Sequence, residues 1–202
     1  HIEGTGRFIS KTTLEVKNGK KTEKVEAEKI IIATGARPRT FPGMELDGKR
    51  VISYKEAMIL EAPPKKMIII GSGAIGCEFA YYYNEFGTEI HMVEMLDRLL
   101  PIEDADVSKE VEKSFKKSGI KVYKGTKVSR INSLKKKVKV YTERNGKEEI
   151  LEGDVALLAV GVKGNIENMG LEELGIETDR GAITINKFNQ TILPNIYAIG
   201  DV

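Results

Sequence analysis

"KKMIIIGSGAIGCEFA", residues 65–80, decides how this chain is read. Residues 66–70 form a continuous apolar run, the kind buried on both faces of a parallel sheet. Gly71, Gly73 and Gly76 then fit G-x-G-x-x-G, and residues 74–86 read as a helix that Gly87 can end. In such a corner the first glycine permits a tight turn. The second lets a pyrophosphate approach the backbone, and the third lets the helix pack closely on the strand. Free N–H groups and the positive helix end receive the phosphates. Gly71, Ser72, Gly73, Ala74, Ile75 and Gly76 are therefore assigned to a dinucleotide.

Working outward, "TEIHMVE" at 88–94 is the next strand. Residues 106–118 read as a second helix with Val107, Val111, Phe115 and Ser118 facing inward, and "IKVYKG" as a third strand. The order βαβαβ calls for a parallel sheet with right-handed crossovers. Glu94 ends the second strand, 18 residues beyond Gly76, where a carboxylate can accept hydrogen bonds from an adenosine ribose. It would repel a 2′-phosphate, so the cofactor is read as NAD rather than NADP. Arg98 is expected to form an ion pair with Glu94 rather than to receive a phosphate.

Glu78 has two readings. It is an acid near a helix start, or a carboxylate aimed from the cofactor site toward a second redox group; the residues alone favour the first. Cys77 reads as a small buried helix residue and His91 as a satisfied or surface-facing strand residue. Tyr81, Tyr82 and Tyr83 are expected to divide between core and surface. "SLKKKVKV" reads as a solvated edge whose lysines discourage pairing.

A weak internal repeat organises the rest. "VKVYTERNGKEEILEG" alternates around Asn145 and Gly146, a two-residue hairpin signal, and is followed by the buried strand "VALLAVG". "TLEVKNGKKTEKVEAEKIIIATG" has the same design, with its turn expected at Asn18 and Gly19. The second copy is preceded by a βαβαβ half and the first is not, so residue 1 is expected to lie inside an interrupted domain. "GARPRTFPGMELDGKR" reads as a linker, and "AITIN" and "NIYAIGDV" as strands that return beside "IIIATG". The fold class is α/β: a doubly wound, Rossmann-like domain with a parallel sheet and a β-meander, flanked by strands of a second domain. The expected boundaries are 1–50, 51–163 and 164–202.

Composition excludes little but agrees. Hydrophobic residues make up 41% and charged residues 31% of the 202, with a net charge of +2, so there is no general reason to invoke nucleic acid or an anionic membrane. No apolar run is long enough to span a bilayer. One cysteine excludes an internal disulfide and points weakly to a reducing cytoplasm. No metal-ligand set is assigned.

"IIIATGARP", "GSGAIGCEFA", "VEMLDRLLP", "LLAVGV" and "TILPNIYAIGDV", in this order, resemble the two-dinucleotide flavoprotein disulfide reductases, and most of all their dihydrolipoamide dehydrogenase branch. The resemblance covers essentially the whole chain. It implies an FAD domain interrupted by an NAD domain. Thr34, Gly35 and Ala36 would approach FAD, Gly6 would lie near its adenosine, and Asp201 would bind its ribitol. Val128 would flank the NAD adenine and Gly161 the nicotinamide end. Glu78 would pair with a lysine near the flavin. The family's redox cysteines, that lysine and its His–Glu pair all fall outside residues 1–202, so the chain alone is expected to be inactive. "GVKGN" at 161–165 departs from an Arg-containing form common in the family. The implied parent is a homodimer that serves a lipoyl-bearing 2-oxo acid dehydrogenase complex or the glycine cleavage system. Another FAD-dependent disulfide reductase, an NADH oxidase and a non-catalytic NAD-binding sensor are the alternatives.

Overall fold

In the computed structural model, which describes residues 1–202, the apolar run becomes strand Lys66–Ile70, the centre of a five-stranded parallel sheet. The order across it is Val51–Ile52, Val155–Leu158, Lys66–Ile70, Glu89–Val93, Lys121–Tyr123. Alternate side chains of a strand point to opposite faces, and here both faces are covered. Met67 and Ile69 pack with Met92 and Leu157 against Ala57, Cys77, Ala80 and Phe115 of the helices Tyr54–Ala57, Ala74–Glu85 and Ala105–Lys117. Ile68 and Ile70 pack with Val93 and Ala156 against Val128, Val138, Val140 and Leu151 of an antiparallel meander. The result is three layers: helices, parallel sheet, meander. A run without polar interruption was needed because Met67, Ile68 and Ile69 are all fully buried. Each such side chain contributes at most about 1.5–3 kcal/mol.

The meander is Lys127–Ser133, Val138–Arg144, Lys147–Gly153. Its second turn holds Asn145 and Gly146 at φ 51° and 74°, both positive as a two-residue hairpin loop of this type requires. "SLKKKVKV" is not an edge. Its valines belong to the central strand and are fully buried, while Lys137 and Lys139 on the other face both pair with Glu152. The helix Ala105–Lys117 is capped by Asp104 and so begins one residue earlier than expected. Ser108, Val111 and Phe115 face the core, whereas Val107 is half exposed and Ser118 lies outside the helix.

The chain divides into two compact units, His1–Arg37 with Val162–Val202, and Pro38–Gly161. From Pro38 onward, the segment expected to be a linker up to residue 50 therefore belongs to the second unit. Met44 and Leu46 pack on the meander core, Ile131 N donates to Gly43 O at 2.8 Å, and Arg50 donates to Asp154 O at 2.9 Å.

Asp47 ties this segment down by accepting from the N–H groups of Lys49, Arg50 and Val51 at 2.8–2.9 Å. Burial pushes its carboxyl upward, but the Ser133 hydroxyl and those three N–H groups outweigh it and bring the pKa from 3.8 down to about 2. A depressed folded pKa stabilises above the unfolded value and ceases to do so as pH falls through the folded one. The gap in unfolding free energy between the natural chain and Asp47→Asn is therefore expected to shrink by about 1 kcal/mol from roughly pH 5 to pH 2, after discounting for the exposure of the carboxylate. Urea unfolding at both ends of that range checks it; a constant gap contradicts the assignment.

The first unit repeats the meander as Thr5–Ser10, Thr13–Asn18, Lys21–Glu26. Its hairpin turn is Gly19 and Lys20, because Asn18 pairs with Lys21 and only Gly19 takes positive φ, 58°. Strand Ile30–Ile32 follows and pairs in parallel with Ile196–Ala198. Ala182 and Ile183 pair instead with Thr178 and Asp179, so "AITIN" does not join that sheet. Phe8, Ile32, Leu171, Ile183 and Ile196 form this unit's core.

Candidate functional site

The glycine turn is built by three different constraints. Gly71 sits at φ +98°, donates to Val93 O at 2.9 Å, and a Cβ there would lie 2.4 Å from Ala159 O. At Gly76 a Cβ would lie 2.1 Å from Gly71 O, so helix and turn approach as closely as backbone allows. Gly73 is different: its φ is −67°, and a Cβ would meet no atom within 4 Å. Local folding does not demand a glycine at 73. Gly73 is the N-cap of Ala74–Glu85 and offers no side chain, so no side chain caps the first N–H groups of that helix.

Glu94 is buried, and its carboxylate is held by this turn. Oε2 accepts from Ser72 N at 2.8 Å and from Ser72 Oγ at 2.7 Å, while Oε1 accepts from Leu96 N at 2.8 Å. Arg98 does not pair with it; its guanidinium donates to Pro101 O at 2.6 Å, within its own loop. The backbone carbonyl of Ser72 accepts in turn from Leu100 N at 2.9 Å and from Cys77 Sγ at 3.3 Å. Cys77 is thus a packed helix residue. Burial, reinforced by the charges of Glu94 and Glu78, pushes its thiol up to about 11, far from a reactive thiolate at neutral pH.

A cleft of about 930 Å³ opens at the carboxyl ends of the parallel strands, within the second unit. Gly71, Ser72, Gly73, Glu94, Val128 and Gly161 all line it. Ala74, Ile75 and Gly76 do not: Ile75 packs on the helix-side core, Gly76 is buried in the turn, and Ala74 is exposed beside it. Arg39, Phe41, Pro42 and Met44 line the cleft unannounced, because their Pro- and Gly-rich segment carries no periodic signal. Met95, Leu96, Thr126 and Lys127 could have been found, since each follows the end of a parallel strand or the crevice beside it.

Glu78 is the fifth residue of its helix, not part of the first turn, and is exposed. The attraction to the helix end fades within one turn, so the dipole reading loses its footing. His91 is buried, with Nε2 2.8 Å from Glu89 Oε1 and Nδ1 3.1 Å from Tyr123 Oη. Burial lowers its pKa despite Glu89. It lines no part of the cleft. Tyr83 is buried and donates to Ala57 O at 2.5 Å, while Tyr81 and Tyr82 are exposed.

In the first unit, Thr34 Oγ1 donates to Asn165 O at 2.8 Å, and Asn165 N donates to Gly35 O at 2.9 Å. These bonds hold Thr34, Gly35 and Ala36 at the end of strand Ile30–Ile32, with Gly35 at φ +64°. Asp201 is exposed at a hollow of about 350 Å³ that it shares with Gly200 and Arg180. Gly6 lies in the meander opposite Val16 and is absent from that hollow.

Comparison with known proteins agrees with this architecture. A family model described as pyridine nucleotide-disulphide oxidoreductase matches residues 2–202. Among curated proteins, dihydrolipoyl dehydrogenase of Rhizobium etli is 43% identical over 187 residues, which is 92% of this chain and 39% of the relative. That of Zymomonas mobilis is 41% identical over 203 residues, 100% of this chain and 44% of the relative. The chain thus spans about two fifths of the length of these relatives. Among solved structures, LpdA of Mycobacterium tuberculosis matches with TM-score 0.87 at 32% identity, over 99% of this chain and 45% of that one. The HOCl-induced flavoprotein disulfide reductase RclA of Escherichia coli matches with TM-score 0.82 at 27% identity, again over 99% and 45%.

Proposed function

Given that the chain belongs to the pyridine nucleotide-disulphide oxidoreductase family, we propose that Pro38–Gly161 is the NAD-binding module of a dihydrolipoamide dehydrogenase. The observation that carries this is the joining of Gly73 and Glu94 on one cleft. An open, uncapped helix start suits a pyrophosphate, and a carboxylate at the next strand end suits a ribose with two free hydroxyls. Val128 would contact the adenine, and Gly161 would leave room at the nicotinamide end. When bound, NAD supplies a ring that accepts hydride, and FAD supplies the redox group between it and a dithiol. In this reading the residues of this chain bind, orient and select the cofactor.

The first unit would contribute to the FAD site of the whole protein through Gly6, Thr34, Gly35, Ala36 and Asp201. Glu78, exposed on the NAD-binding helix, would meet a cation beside the flavin. The whole protein would act on lipoyl groups of a 2-oxo acid dehydrogenase complex or of the glycine cleavage system, as a cytoplasmic homodimer. No helix is long and apolar enough to cross a membrane.

Calorimetric titration of the chain is expected to show NADH binding roughly tenfold or more tightly than NADPH, because Glu94 opposes the added phosphate. Equal affinities would remove the assignment. A second reading, another flavoprotein disulfide reductase, is favoured by the likeness to RclA. Dihydrolipoamide-dependent reduction of NAD⁺ by the whole protein separates the two.

A further inference from the structure

An ionised carboxylate has about four acceptor directions. In Glu94 the chain itself occupies three: Ser72 N–H and Ser72 Oγ–H on Oε2, and Leu96 N–H on Oε1. Both side chains are buried, Ser72 completely, so no water replaces a lost partner easily. Two of the three donors are backbone groups that any residue would supply. The hydroxyl is the only part of this clamp that depends on a side chain.

We infer that the Ser72 hydroxyl is a positioning group that sets discrimination between dinucleotides with and without a 2′-phosphate. The inference rests on the proposed NAD reading and adds how the selectivity is enforced. Rejecting a phosphate requires more than a negative charge nearby, because a flexible glutamate can turn its charge away. Two bonds to Oε2 resist that rotation, and they leave one acceptor direction on Oε1 to receive a ribose hydroxyl. Excluding the wrong ligand is thus achieved by denying Glu94 an alternative place. With alanine at 72, Oε2 keeps only the backbone N–H, and the carboxylate can swing aside when a phosphate enters.

The test measures NADH and NADPH affinity by ligand fluorescence for the full 202-residue chain, Ser72→Ala, Glu94→Gln and the double variant, each checked for a cooperative melt. The ratio of the two dissociation constants is expected to contract roughly three- to tenfold in Ser72→Ala, the equivalent of one hydrogen bond. Further contraction should be nearly absent when Ser72→Ala is added to Glu94→Gln, because a residue acting through the charge of Glu94 has nothing left to hold. Ser72→Cys, with a weaker donor of similar size, should fall between serine and alanine and serves if alanine does not fold. An unchanged ratio in a folded Ser72→Ala that still prefers NADH would overturn the inference alone. Equal contraction in both backgrounds would also overturn it, by showing that Ser72 acts on the turn itself. No preference in the natural chain would remove the NAD reading and this inference with it.

Discussion

Gly73→Ala is expected to abolish most dinucleotide binding while the fold survives, and Gly76→Ala to destabilise the fold itself. Both replace a glycine of one turn by the same methyl group. At 73 that methyl points into open space at an ordinary backbone conformation, φ −67°. Alanine is a poorer helix N-cap than glycine, but the loss of stability should stay under about 1 kcal/mol. The methyl would occupy the place where phosphate oxygens meet the helix start. Losing one charge-assisted hydrogen bond of about 1.5–3 kcal/mol weakens binding roughly tenfold to 150-fold, and losing a second multiplies that loss. At 76 the methyl would sit 2.1 Å from Gly71 O, a backbone atom that cannot rotate away. Overpacking of this severity costs about 3 kcal/mol or more, and the helix propensity of alanine returns only about 1. Urea unfolding and NADH titration of both variants check the pair. Undiminished binding by Gly73→Ala would remove the pyrophosphate from this turn, and an unshifted midpoint for Gly76→Ala would deny the close approach.

Glu94→Arg, the obvious charge swap for changing NAD into NADP preference, is expected to fail by unfolding. Glu94 is 7% exposed and satisfies three donors. Arginine would bring a cation to face Ser72 N–H, the Ser72 hydroxyl and Leu96 N–H, of which only the hydroxyl can turn to accept, so both N–H groups lose their partner. Leaving two buried N–H donors unpaired costs about 1–3 kcal/mol each, a large share of the stability of a domain this size. Thermal melts should show a collapse or a deep drop before any change of preference can be measured. A stable Glu94→Arg chain that prefers NADPH would mean that residue 94 faces solvent more freely than its burial indicates.

The glycine turn and Glu94 were legible because their chemistry is local. A strand end, a turn and a helix start lie within a dozen residues, and the next strand end follows from the βαβ period. Val128 and Gly161 were reached through family likeness, since nothing in their own segments marks a ligand. Arg39 to Met44 stayed hidden for a physical reason: their place on the cleft comes from tertiary bonds such as Ile131 N to Gly43 O, which leave no trace in local pattern. The inner face of Ala105–Lys117 was misjudged only in its first turn: Val111 and Phe115 face the core as read, but the row that continues them is completed by Ser108, three residues before Val111, while Val107 lies at the edge of that face and stays half exposed. At Asn18 and Gly19 the dipeptide named the right neighbourhood, but pairing of Asn18 with Lys21 moved the turn by one position. Lysines at 137 and 139 were taken for an edge because charge alone cannot distinguish an edge strand from the outer face of a central one.

Strand Ile30–Ile32 pairs with Ile196–Ala198, more than 160 residues later. During synthesis it must wait for its mate, with Ile31 still 61% exposed even after pairing. At the usual pace of a ribosome that delay is on the order of ten to thirty seconds. The intervening unit shortens the search. Arg39 N donates to Gly161 O at 3.0 Å, so once Pro38–Gly161 has folded, the points where the chain enters and leaves it are side by side. The strands then close a short effective loop instead of a long one, which spares about 1 kcal/mol of chain entropy. The continuous unit is therefore expected to fold before the discontinuous one, so a lesion such as Gly76→Ala should also slow the pairing of Ile30–Ile32 with Ile196–Ala198, which refolding kinetics of the two chains would show.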